Sequence, residues 1–221
     1  MGENHLKHLC LILLTCLLGV LLPSAAWADD LVVSRFATEG TAGWESKRFK
    51  GTTRYRIVQA DGRTVLEARA EAAASGLTKK ITFNPRTHRY LKWRWKISAT
   101  VPGGDARMKQ GDDYAARLYV IFPDRFFWRT RALNYIWANK LPVEEFVPNA
   151  FTANAMLLAV ESGPAKAGRW VEEKRDILAD FRRVFGEDPP EAGGIAIMTD
   201  TDNTGAEATA WYGDILISTE P

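Results

Sequence analysis

Cysteine and histidine are scarce in this 221-residue chain, with two of the first and three of the second. Four of these five residues, His5, His8, Cys10 and Cys16, stand within the first 16 positions. Both cysteines belong to an apolar run, "LCLILLTCLLGVLLP", which follows Lys7 and leads into "SAAWA". A weakly positive start, an apolar run short for a bilayer and the small-x-small site Ala26-Trp27-Ala28 describe a cleaved leader over residues 1–28. A lipid anchor at Cys16 fits less well, because Thr15 stands where such a box needs Gly, Ala or Ser. Cleavage would leave residues 29–221 as a single domain without a transmembrane anchor, periplasmic or secreted. That domain would have no cysteine, which excludes a disulfide, a thiol nucleophile and a thiolate-bound metal. Its one histidine, His88, lies in "NPRTHRYLK", a turn entering a strand, where a lone imidazole is ordinarily solvated. A multi-histidine zinc site is excluded with it.

An excess of one charge is lacking too. Lysine and arginine number 29 against 27 acidic residues, with no basic block, so nucleic acid is not expected as a partner. Internal repeats and low-complexity linkers are absent as well, and helical runs are few.

Strand patterns fill the space. "LKWRWKISA" alternates strictly, with Leu91, Trp93, Trp95, Ile97 and Ala99 on one side and Lys92, Arg94, Lys96 and Ser98 on the other, the period-two signature of a half-buried strand. "YAARLYVIF" does the same, placing Leu118, Val120 and Phe122 opposite Arg117, Tyr119 and Ile121. Eight further stretches read as strands: "TRYRIVQA", "TVLEARAEA", "LTKKITF", "ALNYIWAN", "FTANAMLLAVE", "WVEEKRD", "GIAIMTD" and "ATAWYGDILI". Turn signals such as Asp61-Gly62 and Pro102-Gly103-Gly104 separate several of them. Ten or so strands predict an all-β fold, two antiparallel sheets in a jelly-roll sandwich. One short helix is predicted in "DILADFRRVFGEDPP". Asp176 can cap its start, Ile177, Leu178, Phe181, Val184 and Phe185 form its stripe, and Gly186 ends it.

Taken together, "LKWRWKI", "GDDYAARLYVIF", "NYIWAN", "AVESG" followed by Trp170-Val-Glu-Glu-Lys-Arg-Asp, and "IAIMTDTDNT" followed by "WYGDI" resemble a bacterial family of exported domains of unknown function. The family is similar to jelly-roll carbohydrate-binding modules. The resemblance implies that fold, export and a carbohydrate ligand, and it supplies no catalytic residue.

Several constellations are candidates for the site. The tryptophans of "LKWRWKI" share their face with Leu91 and Ile97 and read as core. Arg117 and Tyr119 project from the opposite face of their strand. If the strand "RALNYIWAN" borders them, Tyr135 and Trp137 could complete a shallow aromatic and hydrogen-bonding face for a sugar. Burial in a second core layer would explain the same rings. Asp113 stands at the strand entrance near Arg117 and joins them as a binding candidate. Paired with Glu173 or Asp200, it would make the alternative reading a polysaccharide hydrolase or lyase. "PDRFFWRTR" sets Phe126, Phe127 and Trp128 among arginines. It is either a loop folded over the sandwich or a lip through which a structural envelope protein holds a partner.

The acidic stretch "MTDTDNTGA" fails as an EF-hand. With Asp200 at position 1, Asp202 at 3 and Gly205 at 6, position 12 is Trp211 instead of glutamate, and both flanks read as strands. A looser calcium site using Asp200 and Asp202 stays open beside the favoured reading, a hairpin turn. No other cofactor is expected. The sequence thus favours an exported, non-catalytic carbohydrate-binding module.

Overall fold

The alternating stretches become paired strands in a computed structural model that describes residues 30–221; the leader expected over residues 1–28 lies outside the described residues. In chain order the elements are β1 (Leu31–Ser34), α1 (Phe36–Glu39), β2 (Trp44–Lys50), β3 (Arg54–Ala60), β4 (Arg63–Glu71), β5 (Ala74–Phe83), β6 (Tyr90–Ile97), β7 (Arg117–Phe122), β8 (Arg131–Ala138), β9 (Phe146–Asn149), β10 (Thr152–Ser162), β11 (Val171–Asp176), α2 (Ile177–Phe185), β12 (Ala192–Asp200) and β13 (Glu207–Ser218). They form a jelly-roll sandwich of two sheets. The first has the order β11-β6-β13-β4-β3, with β1 also paired to β13, and the second the order β2-β5-β12-β7-β8-β10-β9. No helix among the described residues is long and apolar enough to cross a membrane.

All ten expected strands are present, and three more join them. β2 ("WESKRFK") has no apolar alternation because it is an edge strand with nearly every residue exposed, and charged edges keep sheets from pairing with other chains. β1 and β9 have four residues each, too short for a period to show. One pairing departs from the antiparallel expectation: β10 runs parallel to β8. It does so because the chain leaves β8, runs back as β9 and then inserts β10 between the two, antiparallel to β9.

The main core lies between the sheets. Leu91, Trp93, Trp95 and Ile97 of β6 face Leu133, Tyr135 and Trp137 of β8. Trp93 meets Tyr135 with ring centroids 5.5 Å apart, and Trp95 meets Trp137 at 6.0 Å. α2 closes one end. Asp176 caps it by accepting from the Ala179 amide at 3.0 Å, and Phe181 packs 4.6 Å from Phe122. Gly186 ends the helix in a left-handed conformation that glycine adopts without Cβ strain. A smaller apolar cluster, built on Tyr114, Ile136, Leu141 and Leu157, covers part of the outer face of the second sheet. The rest of that face is open, and the candidate site lies there.

Candidate functional site

Pairing register decides which side chains reach the open face. β7 sits between β12 and β8, with Tyr119 opposite Asn134 on one side and Ala196 on the other. Directly paired residues of a sheet share a face, so Arg117, Tyr119, Asn134 and Met198 all project outward. A cavity of about 460 Å³ opens over them, within the size range of ligand sites. Its lining is completed by Phe49 of β2, Asp112 ahead of β7, Asn149 and Phe151 of the β9–β10 turn, and Asp202 and Asn203 after β12. A second cavity of about 400 Å³ shares Phe49, Tyr119 and Met198 and continues toward Glu45, Lys47 and Thr78. The two make one groove. Phe49 and Phe151 are largely exposed at it.

The floor is charged. Arg117 is buried, and its Nε donates to Asp200 Oδ1 at 2.8 Å while Nη2 pairs with the other oxygen of the same carboxylate. Nη2 also donates to the Asp112 carbonyl at 3.3 Å, and the guanidinium lies 4.6 Å over the Tyr114 ring. Burial works against this charge, but Tyr119, Asp112, Tyr114 and Asp113 outweigh it and hold Arg117 above its ordinary value. Asp112 is less well served. Its Oδ2 accepts from Asn149 Nδ2 at 2.9 Å, whereas Oδ1, 3.7 Å from Arg117 Nη1, is buried and accepts no hydrogen bond. Asn134 Oδ1 is likewise buried without a donor. Asp202 is raised above its usual value by partial burial and by the neighbouring Asp113.

The acidic stretch is a turn between β12 and β13. Asp113, completely buried, braces it from below: Oδ2 accepts from the Thr204 amide at 2.6 Å, and Oδ1 accepts from the Asn203 amide and from Asn203 Nδ2, each at 3.2 Å. Gly205, at φ +72°, takes the left-handed conformation the turn needs. Asp113, Asp200 and Asp202 bring one carboxylate oxygen each within 4.8 Å of the others. A calcium ion there would have to displace three N–H donors from Asp113 and stand beside the guanidinium on Asp200. This donor set suits a braced turn and suits calcium poorly.

The site candidates therefore separate. Arg117 and Tyr119 lie in the cavity, and so do Asp200 and Asp202. Asp113 does not; the neighbouring Asp112 takes the place expected for it. Tyr135 and Trp137 need correction, since both point between the sheets. Tyr135 pairs across from the inward Leu118, and its hydroxyl donates to Asp180 Oδ2 at 3.0 Å. Trp137 is 1% exposed and donates from Nε1 to the Gly163 carbonyl at 3.1 Å. The rings of Phe126 and Trp128 stack and Phe127 meets Trp128 edge to face, all three outside the core, with Phe127 82% exposed. The residues sequence reasoning missed are Phe49, Asn134, Asn149 and Phe151. Three of them stand on strands or turns without a readable period. Asn134 alternates with Tyr135 and so lies on the opposite face of β8, but one strand alone does not show which of its faces is the open one.

Glu173, the other expected carboxylate, lies outside this cavity on β11. Burial, aided by Glu161, lifts its pKa from 4.5 to about 7, against the Trp95 Nε1–H that donates to it at 3.2 Å. A raised carboxyl keeps its proton in the folded state where the unfolded chain gives it up, so stability falls as pH rises from about 4.5 to about 7 and the penalty is complete above that. Glu173→Gln should therefore stabilise the protein at pH 8 by on the order of 2–3 kcal/mol, with the gain fading toward pH 4.5. Thermal melts at the two pH values measure it; a gain equal at both would assign the effect to packing.

Comparison with solved structures finds similar folds at low identity. A family 11 carbohydrate-binding module of the cellulosomal cellulase Lic26A-Cel5E of Clostridium thermocellum is 11% identical, with 86% of this chain and 94% of that one covered and a TM-score of 0.47. The xyloglucanase domain of NopAA, a type three effector from Sinorhizobium fredii, is 10% identical, with 86% and 97% covered and a TM-score of 0.45. A cellulase derived from Cel12A of Rhodothermus marinus is 9% identical, with 86% and 99% covered and a TM-score of 0.44. The substrates and sugars in those descriptions belong to those proteins. No curated protein sequence matches the chain. The model of one protein family, DUF3047, described as "protein of unknown function", matches residues 42–216, well over half of the sequence, and the chain belongs to that family.

Proposed function

We propose that the protein is an exported, non-catalytic binding module whose outer-face groove takes a carbohydrate chain. One observation carries this reading: the cavity sets the rings of Phe49, Tyr119 and Phe151 beside buried oxygens of Asp112 and Asn134 that accept no hydrogen bond. A pyranose offers what such a lining lacks, an apolar C–H face for the rings and hydroxyl donors for the oxygens. Export is supported by the leader pattern of residues 1–28. Hydrolysis is disfavoured by the carboxylates themselves. Both oxygens of Asp113 are held by turn donors, both oxygens of Asp200 face Arg117, and glycoside cleavage needs one free acid and one free base across the bond.

The test replaces the exposed rings. Phe49→Ser with Phe151→Ser should lower affinity for a bound polysaccharide at least tenfold, about 1.4 kcal/mol, while the melting temperature hardly changes, since exposed positions contribute little to stability. Calorimetric titration over a panel of soluble polysaccharides reads the first and a thermal melt the second. Full binding by the double variant would sink the assignment of this groove. Calcium is proposed to play no part, so melts in EDTA and in millimolar calcium should coincide. A site filled at about 100 times its dissociation constant would add about 2.7 kcal/mol, and a shift of that size would restore the metal reading.

A further inference from the structure

The cavity's unpaired atoms and its charge narrow the ligand further. We infer that it recognises a sugar bearing a free, protonated amino group, with Asp112 as the carboxylate that receives the ammonium. This rests on the carbohydrate reading of the same cavity.

Three carboxylates line the cavity, Asp112, Asp200 and Asp202, against a single cation, Arg117. That cation is already committed. Its Nε and Nη2 both meet Asp200, and what reaches Asp112 Oδ1 is Nη1 at 3.7 Å, beyond hydrogen-bond range. Asp112 is 3% exposed, so water offers it little. Its one side-chain donor is the neutral amide of Asn149. A buried carboxylate with one oxygen unpaired and no full counter-charge is costly, and Asp112 lines the cavity. The Tyr114 hydroxyl beside it, itself buried without a partner, is neutral and can complete the hydrogen bond but not the charge; a ligand cation completes both.

The rest of the lining says what carries the cation. Asn134 Oδ1, buried and unpaired, asks for a hydroxyl. Tyr119, Phe49 and Phe151 line the cavity, and the face of such a ring attracts both an ammonium and the C–H groups beside it. Three lysines stand near the mouth, each already engaged. Lys50 Nζ donates to the Asp202 carbonyl at 3.0 Å, Lys47 lies 5.5 Å from the centroid of the Phe49 ring, and Lys109 lies 5.6 Å from that of Phe151. They are exposed and screened by solvent, so the buried floor governs the choice of charge. A hydroxyl beside an ammonium on an apolar ring is a hexosamine without its acetyl group. A uronic acid would place a second anion against Asp112 and is excluded by the same electrostatics.

Titration of three probes of equal length decides it: tri-glucosamine, its fully N-acetylated form and cellotriose, each added to the protein at a pH that keeps the amine charged. Tri-glucosamine should bind at least tenfold more tightly than either neutral probe, and Asp112→Asn should reduce that preference below threefold. Equal or tighter binding of cellotriose overturns the amine inference and leaves the carbohydrate reading standing. Failure of all three probes and of the polysaccharide panel overturns both. Should Asp112→Asn not fold, the three-probe comparison on the unaltered protein still decides.

Discussion

Replacing Trp137 with alanine should unfold the sandwich rather than weaken a binding site, at a cost of about 3–5 kcal/mol. The indole is 1% exposed, lies 6.0 Å from Trp95 across the core and donates its one N–H to the Gly163 carbonyl. Its removal deletes a large buried apolar surface, leaves a cavity between two sheets that strand pairing holds at fixed spacing, and strands the Gly163 acceptor. For a domain of this size each kcal/mol moves the midpoint by about 2–4 °C, so a fall of about 6–20 °C is expected in a thermal melt. Tyr119→Ala supplies the contrast. Tyr119 directly follows the inward Leu118 on the adjoining strand β7, yet it opens onto the cavity; its loss should leave the core intact. Equal destabilisation by the two substitutions would mean that the outer face is packed as tightly as the inner one.

That contrast also marks how far the sequence can be read. Period-two alternation located ten strands because a sheet with one wet face repeats apolar residues at every second position. It failed at β2, where both faces are wet, and at β1 and β9, where four residues show no period. The faces of β7 were legible because leucine and valine alternate with arginine and tyrosine. Those of β8 were not: Leu133, Tyr135 and Trp137 on one side compete with Asn134, Ile136 and Ala138 on the other, and both sides are buried, one by the opposite sheet and one partly by the loop carrying Tyr114. Only the pairing of Leu118 with Tyr135 and of Tyr119 with Asn134 sends the aromatic side inward, and a register between strands leaves no trace in either strand alone. Asp112 and Asp113 show the same limit at a turn. Adjacent identical residues point apart, one into the cavity and one into the turn after β12, and the residues that separate their roles, Asn149, Asn203 and Thr204, stand 37 to 91 positions away.

Arg117 joins fold and site, and it carries the other large expected effect. Arg117→Leu should cost about 3–5 kcal/mol, the penalty for leaving a buried carboxylate without its partner. The loss falls on Asp200, which keeps only the Tyr114 amide at 3.3 Å, and on Asp112, which loses its nearest cation. Adding Asp200→Asn should return a good part of the stability, because a neutral amide tolerates burial where an unpaired carboxylate does not. The double variant should therefore be more stable than the sum of the single changes by about 1–3 kcal/mol, the range for residues in direct contact. Arg117→Lys should fall between, since a single ammonium cannot span both oxygens of Asp200 as the guanidinium fork does. Strict additivity in denaturant melts, or a cost below about 1 kcal/mol for Arg117→Leu, would show that the ion pair contributes nothing as a unit. The stabilised double variant has a second use. Its cavity keeps Asp112 and Asn134 but loses the cation that competes for Asp112, so it should hold an ammonium-bearing sugar at least as tightly as the unaltered protein, whereas a site that relied on Arg117 to donate to the ligand would lose binding in proportion.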